Sequence, residues 1–187
     1  MKSVLSTFLS TCLTIALSAL VCFGSPMMAI AQPQIATLPG LKGVFASERP
    51  ANLGVKSGSL AGCPTTPNCV VSQGADEDHA IAPIRYVSDR ATARQSLINI
   101  LGVVPRTKII EQSDDYVLAQ SESRLMGFVD DTEFYFPKDE KVIHARAAAR
   151  LGESDLGVNR RRIEQIRLAF QDLAQRNSER DSASSMP

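Results

Sequence analysis

From residue 88 onward, apolar positions follow two rhythms, one of period two and one of helical period. Residues 127–136, GFVDDTEFYF, set Phe128, Asp130, Thr132, Phe134 and Phe136 on one side of a strand, with Val129, Asp131, Glu133 and Tyr135 on the other. Residues 141–151, KVIHARAAARL, set Ile143, Ala145, Ala147, Ala149 and Leu151 against His144, Arg146, Ala148 and Arg150. A turn over 137–140 would pair Phe136 with Lys141. That register predicts Phe134 opposite Ile143, Phe128 opposite Ala149, Asp131 opposite Arg146 and Glu133 opposite His144.

The segments 107–112 and 116–122 predict an earlier hairpin around the turn 113–115. Ahead of it, Ala93, Leu97, Ile100 and Leu101 form an apolar helical stripe, with Ser88 or Asp89 as N-cap and Pro105 beyond its end. A last helix is predicted over 159–175, with Ile163, Ile166, Phe170 and Leu173 on one side. These elements predict an α+β domain: a roughly four-stranded antiparallel sheet with two amphipathic helices packed on one face. The other face is expected to be solvated.

Alanines at 145, 147 and 149 leave room for the last helix to lie close to the sheet, which places Asp130 beneath it. A carboxylate there needs hydrogen bonds or a cation. Arg160, Arg161 and Arg162 open that helix, where positive charge opposes the macrodipole, and Asn159 is the expected cap. An internal network with Asp130, Glu153, Asp155 or Glu164 would offset them; an external anion bound at the helix start is the alternative. On the outer face, Asp131, Glu133, His144, Arg146 and Arg150 predict a ladder of cross-strand ion pairs. The sharper reading of the same residues is acid–base or metal chemistry. No catalytic triad, phosphate-cradling glycine loop or paired metal-ligand motif occurs elsewhere, so neither a cofactor nor a metal is expected.

Before residue 32 the pattern changes. Lys2, the apolar run 4–23 and the small-x-small sequence Ala29-Ile30-Ala31 have the anatomy of a secretory signal peptide over 1–31. An uncleaved anchor and lipidation at Cys22 are the other readings, the second disfavoured by bulky Val21. Residues 32–60 hold scattered Pro and Gly and read as an irregular lead segment; 61–175 form a single domain; the polar stretch 176–187 is expected to be disordered. Lys and Arg number 20 against 20 Asp and Glu, a balance that argues against nucleic-acid binding.

With the leader removed, Cys63 and Cys69 remain, in GCPTTPNCV. In an oxidising compartment two such thiols pair, and a structural disulfide is the favoured reading. Redox exchange, or a metal site shared with His79, stays open.

Four segments carry a family resemblance: CPTTPNCVVSQ (63–73), HAIAP (79–83), FVDDTEFYF (128–136) and ARAAARLGESDLGVNRRRIEQIR (145–167). They resemble a family known as domain of unknown function 1499, over roughly 60–170. The resemblance implies a small domain of bacteria and plastid-bearing organisms, some of its members similar to thylakoid-lumen proteins. It implies no activity, cofactor or catalytic residue. The positions that match it, Asn68, Cys69, Asp130, Asp131, Glu133, Arg146, Arg150, Ser154, Asp155, Asn159 and Arg160, are candidates for the family's role. Val71, Ala147, Ala149 and Glu153 depart from its usual pattern, which puts any mechanism needing hydroxyls there in doubt.

Two functions compete on these grounds. One is an exported, non-enzymatic accessory protein of a membrane-associated assembly in the periplasm or thylakoid lumen. The other is a binding protein or hydrolase for a small anion, built on Arg160, Arg161 and Arg162 with Arg146 and Arg150. Thiol–disulfide exchange at Cys63 and Cys69 is a weaker third.

Overall fold

The period-two segments do form neighbouring strands, and short partners invisible to periodicity widen the sheet. The computed structural model describes residues 47–184. The expected leader over 1–31, the first part of the lead segment and residues 185–187 lie outside them. In chain order the elements are β1 (Cys69–Val71), β2 (Ile84–Arg85), α1 (Arg90–Val103), β3 (Thr107–Gln112), β4 (Tyr116–Glu122), β5 (Val129–Tyr135), β6 (Val142–Ala149) and α2 (Val158–Ser184). The sheet runs β1-β6-β5-β4-β3, with β2 also on β6, and every pairing is antiparallel. The α+β class therefore holds, with six strands rather than four. The two unforeseen strands are three and two residues long, too short to show alternation.

Parity is as the sequence predicts, but the β5–β6 register is displaced by two residues. Asp130 faces Ala149, Asp131 faces Ala148, Glu133 faces Arg146, Phe134 faces Ala145 and Tyr135 faces His144. Because side chains repeat every second residue, a two-residue slip leaves each on its expected side while changing every partner. Its cause lies at the turn. Pro137 has no N–H for the ladder, and the Phe136 N–H bonds the Asp115 carbonyl instead at 2.8 Å. On the other strand, Val142 and Ile143 pair with β2.

Helices α1 and α2 cover one sheet face. Leu97, Leu101, Phe134, Phe136, Ile143, Ile163, Ile166 and Phe170 form a single buried cluster there. Asp89 caps α1, accepting from the Thr92 N–H at 2.9 Å and the Thr92 hydroxyl at 2.6 Å. The α2 stripe is the predicted one, with Ile163, Ile166 and Phe170 buried and Leu173 partly so.

The opposite face is not open. Leu60, Tyr116 and Leu118 make a second buried cluster with Leu53, Val55 and Tyr135, so the described part of the lead segment lies over the sheet. Gly54, at φ 97°, donates its N–H to Glu133 Oε1 at 2.7 Å, a backbone conformation that side-chain-bearing residues rarely adopt. Nor is the polar tail disordered as far as it is described: α2 runs on to Ser184. Its extension carries an Arg176–Asp172 pair at 2.6 Å and a Gln175–Glu179 hydrogen bond at 2.9 Å, both at helical i,i+4 spacing.

At the far edge, β3 is largely exposed and its ladder is interrupted by a bulge between Ile109 and Glu111.

Candidate functional site

Four consecutive residues of β5 from 130 to 133 are buried, three of them carboxylates, and each carboxylate is satisfied differently. Glu133 is fully buried (0% exposed) beneath the lead segment. Its Oε1 accepts from the Gly54 N–H and from the Tyr116 hydroxyl at 2.9 Å, and its Oε2 from Arg146 Nη1 at 3.2 Å. Burial first, and then the Glu133 charge, push the Tyr116 hydroxyl far above the ordinary tyrosine range.

Asp131 is held by Arg150 through two parallel bonds of 2.8 Å, from Nε to Oδ2 and from Nη2 to Oδ1. Arg150 also donates to Gln120 Oε1 at 3.0 Å and to the Ser47 carbonyl at 3.1 Å. Donation to the Asp131 carboxylate raises the Arg150 pKa above its ordinary value. The expected ladder of ion pairs on a wet face is thus two buried ion pairs with changed partners. Arg146 belongs to Glu133, and Asp131 reaches diagonally to Arg150.

His144 stands apart from both. It stacks on Tyr135 at 6.3 Å between ring centroids. The Ser72 hydroxyl accepts from the Ala145 N–H and is hydrogen-bonded to His144 Nδ1 at 3.1 Å. Burial lowers the His144 pKa, consistent with a neutral ring. The carboxylate–histidine pairing that acid–base or metal chemistry required is not assembled, because the register moves Glu133 one pair away. Among the described residues no three His, Cys, Asp or Glu side chains converge as metal ligands.

On the helix face Asp130, 4% exposed, lies under the start of α2 as predicted. Arg162 Nη2 donates to its Oδ2 at 2.7 Å, and Arg162 Nη1 to Asn159 Oδ1 at 2.7 Å. Burial pushes the Asp130 carboxyl above the usual carboxylate range, with Arg162 pulling the other way.

The other two helix-opening arginines are tied to backbone. Arg160 clamps the carbonyls of Ala80 (2.7 Å) and Asp78 (2.6 Å), and Arg161 bonds the Leu156 carbonyl at 2.8 Å. The expected cap is corrected. Asp155 does that work, accepting from the Gly157 N–H at 2.9 Å and the Asn159 N–H at 2.7 Å, and its negative charge suits a helix start. Asn159 is instead fully buried and donates to the Asn68 carbonyl at 3.2 Å. Ser154 accepts the Leu156 N–H at 3.2 Å.

Cys63 and Cys69 are joined, with S–S 2.10 Å and Cα–Cα 5.6 Å. The closed loop is held at three further points. Asn68 Nδ2 donates to the Gly152 carbonyl at 2.5 Å, the Thr66 hydroxyl to Asn68 Oδ1 at 2.9 Å, and His79 Nε2 meets the Thr66 carbonyl at 3.2 Å. Between this loop and β6 opens a polar cleft of about 500 Å³, lined by Pro64, Thr66, Asn68, Asp131, Arg146 and Arg150 among others.

Within the cleft wall Arg146 is distinctive. It is 5% exposed, and among the described residues its single hydrogen bond goes to Glu133 and its buried Nε has no partner. A buried guanidinium ordinarily has its donors filled. The cleft therefore gathers Asp131, Arg146 and Arg150 from the predicted outer-face residues. Asp130, Asp155 and Arg160, Arg161 and Arg162 form a separate system around the start of α2, and His144 belongs to neither. Thr66, Gln120 and Tyr116 were missed as participants; the signal for Tyr116 was a phenol sharing a strand side with Leu118, which has to find a partner once covered.

A family model described as Protein of unknown function (DUF1499) matches residues 59–170. No curated protein and no solved structure matches the chain.

Proposed function

The chain belongs to this family, DUF1499, whose members are proteins of unknown function, and we propose that it is a non-enzymatic binding protein for a small anion held at Arg146. The observation that carries the reading is the unfilled Nε of a buried guanidinium at the wall of a polar cleft. Guanidinium recognises carboxylate, phosphate and sulfate oxygens through paired N–H donors, and Arg146 has donors to spare. The carboxylates nearby are engaged by Arg150, Tyr116 and the Gly54 backbone, which leaves no free base there among the described residues and favours binding over hydrolysis.

Export, and a place beside a membrane-associated assembly in the periplasm or thylakoid lumen, belong to the same proposal. The leader pattern supports export, as does a disulfide of the kind that persists in oxidising compartments.

The test is a thermal-shift and calorimetric series with phosphate, sulfate and small di- and tricarboxylates. A ligand at one hundred times its Kd should stabilise the fold by about 2.7 kcal/mol. Arg146→Gln should abolish that gain and Arg160→Gln should keep it. Absence of any shift across the panel, with the protein folded, would overturn the proposal.

A further inference from the structure

A second surface lies at the end of the sheet where β4 turns into β5 and α2 begins. Leu125 and Met126 stand at the tip of the β4–β5 turn, with Leu125 66% exposed. Leu156 is 84% exposed in the loop ahead of α2, and Val158 follows it, also exposed. Leu156 has φ 53°, a left-handed conformation that bulky side chains disfavour. Neither backbone preference nor burial within this chain rewards a leucine there.

Arginines flank these side chains. A groove of about 410 Å³ brings Arg106, Arg124, Arg161 and Arg162 together with Val158. Arg162 is committed to Asp130. Arg106 donates to the Glu122 carbonyl and Arg161 to that of Leu156, and among the described residues Arg106, Arg124 and Arg161 have no carboxylate partner. Glu122 is the one acidic residue in the groove wall, so the charge there is positive on balance.

Protruding apolar tips on two separate turns, set beside guanidinium groups with no carboxylate partner among the described residues, match the demands of a phospholipid surface. The tips enter the headgroup–acyl boundary while the arginines meet phosphate oxygens. We infer that this end of the domain docks peripherally on an anionic bilayer, with Leu125, Met126 and Leu156 inserting and Arg106, Arg124 and Arg161 binding headgroup phosphates. No helix among the described residues is long and apolar enough to cross a membrane, so attachment through this surface would be interfacial.

The experiment is co-sedimentation of the purified protein with phosphatidylcholine vesicles, with and without phosphatidylglycerol. Binding is expected on phosphatidylglycerol-containing vesicles at low salt, with loss at high salt as the charges are screened. Arg106→Ala and Arg124→Ala should each weaken it roughly five-fold. Leu156→Gly relieves the left-handed backbone, so it should weaken binding several-fold while leaving the melting temperature unchanged or higher. Arg146→Gln, in the separate cleft, should leave vesicle binding intact, which keeps this test distinct from that of the anion site. No sedimentation with phosphatidylglycerol vesicles, or equal sedimentation of the Leu156 variant, would overturn the inference. So would Leu156-dependent cross-linking to a protein without vesicle binding, which would assign the surface to a protein partner.

Discussion

Glu133 and Arg146 are directly paired across β5 and β6, 3.2 Å apart, with both side chains withdrawn from water. Breaking a buried pair from one side strands the other charge. Glu133→Gln should therefore cost about 3–5 kcal/mol in urea unfolding, and the Glu133→Gln/Arg146→Met double variant should recover much of that loss. Full additivity of the two single variants would show that the pair is not energetically coupled.

The pair beneath α2 should behave asymmetrically. Arg162→Met leaves Asp130 buried without its cation and should cost about 3 kcal/mol, whereas Asp130→Asn, which keeps the shape and removes the charge that burial disfavours, should cost about 1 kcal/mol. The raised Asp130 carboxyl binds its proton more tightly folded than unfolded. In Arg162→Met that difference grows, so part of the lost stability should return as pH falls towards the carboxylate range. Equilibrium unfolding of both variants at several pH values reads this out.

His79 is buried, and both its ring nitrogens meet acceptors: Asp76 Oδ1 at 2.7 Å and the Thr66 carbonyl at 3.2 Å. Only the imidazolium fills both, and the Asp76 hydrogen bond is the main cause of its raised pKa. Its stabilising contribution should be fully present below the ordinary value of 6.5 and lost as pH rises through the higher folded value. Ring-proton NMR should show the upward titration, and His79→Gln should flatten the corresponding slope of stability against pH.

Opening the disulfide releases a short loop, so Cys63→Ser with Cys69→Ala should lower stability by about 2 kcal/mol. A larger effect should appear in anion affinity, because the loop forms one wall of the cleft. Calorimetry on the double variant checks both.

Removing the chain through residue 60 should uncover Tyr116, Leu118 and Glu133. The Tyr116 hydroxyl, held high by burial first and Glu133 second, should then ionise nearer its ordinary value. A phenolate absorbance titration distinguishes the two proteins, and an unchanged titration would mean that the segment is not a cover.

Much of this was legible from alternation alone. The sides taken by Asp130, Asp131, Glu133, Arg146 and Phe134 are fixed by period two and survive the register error. Which residue meets which depends on one turn, and Pro137 together with the competing strand β2 sets it differently from a four-residue loop. Asp130 beneath the last helix was accessible because three alanines on β6 announce a close approach. The covered outer face was not, since 47–60 has no periodicity and its hold on the sheet runs through single contacts, such as the Gly54 N–H and Leu60. The helix cap was misplaced for a related reason. Asp155 reaches its donors only after the chain passes through left-handed Leu156 and Gly157, a geometry that spacing does not reveal.

The bulge at Ile109–Glu111 has a bearing beyond this domain. Strand β3 lies at an open margin of the sheet, with Lys108 and Glu111 placing opposite charges along it. An incoming strand from another molecule would meet a broken row of donors and acceptors rather than a continuous template. The bulge and the charges blunt that edge as a template for strand addition.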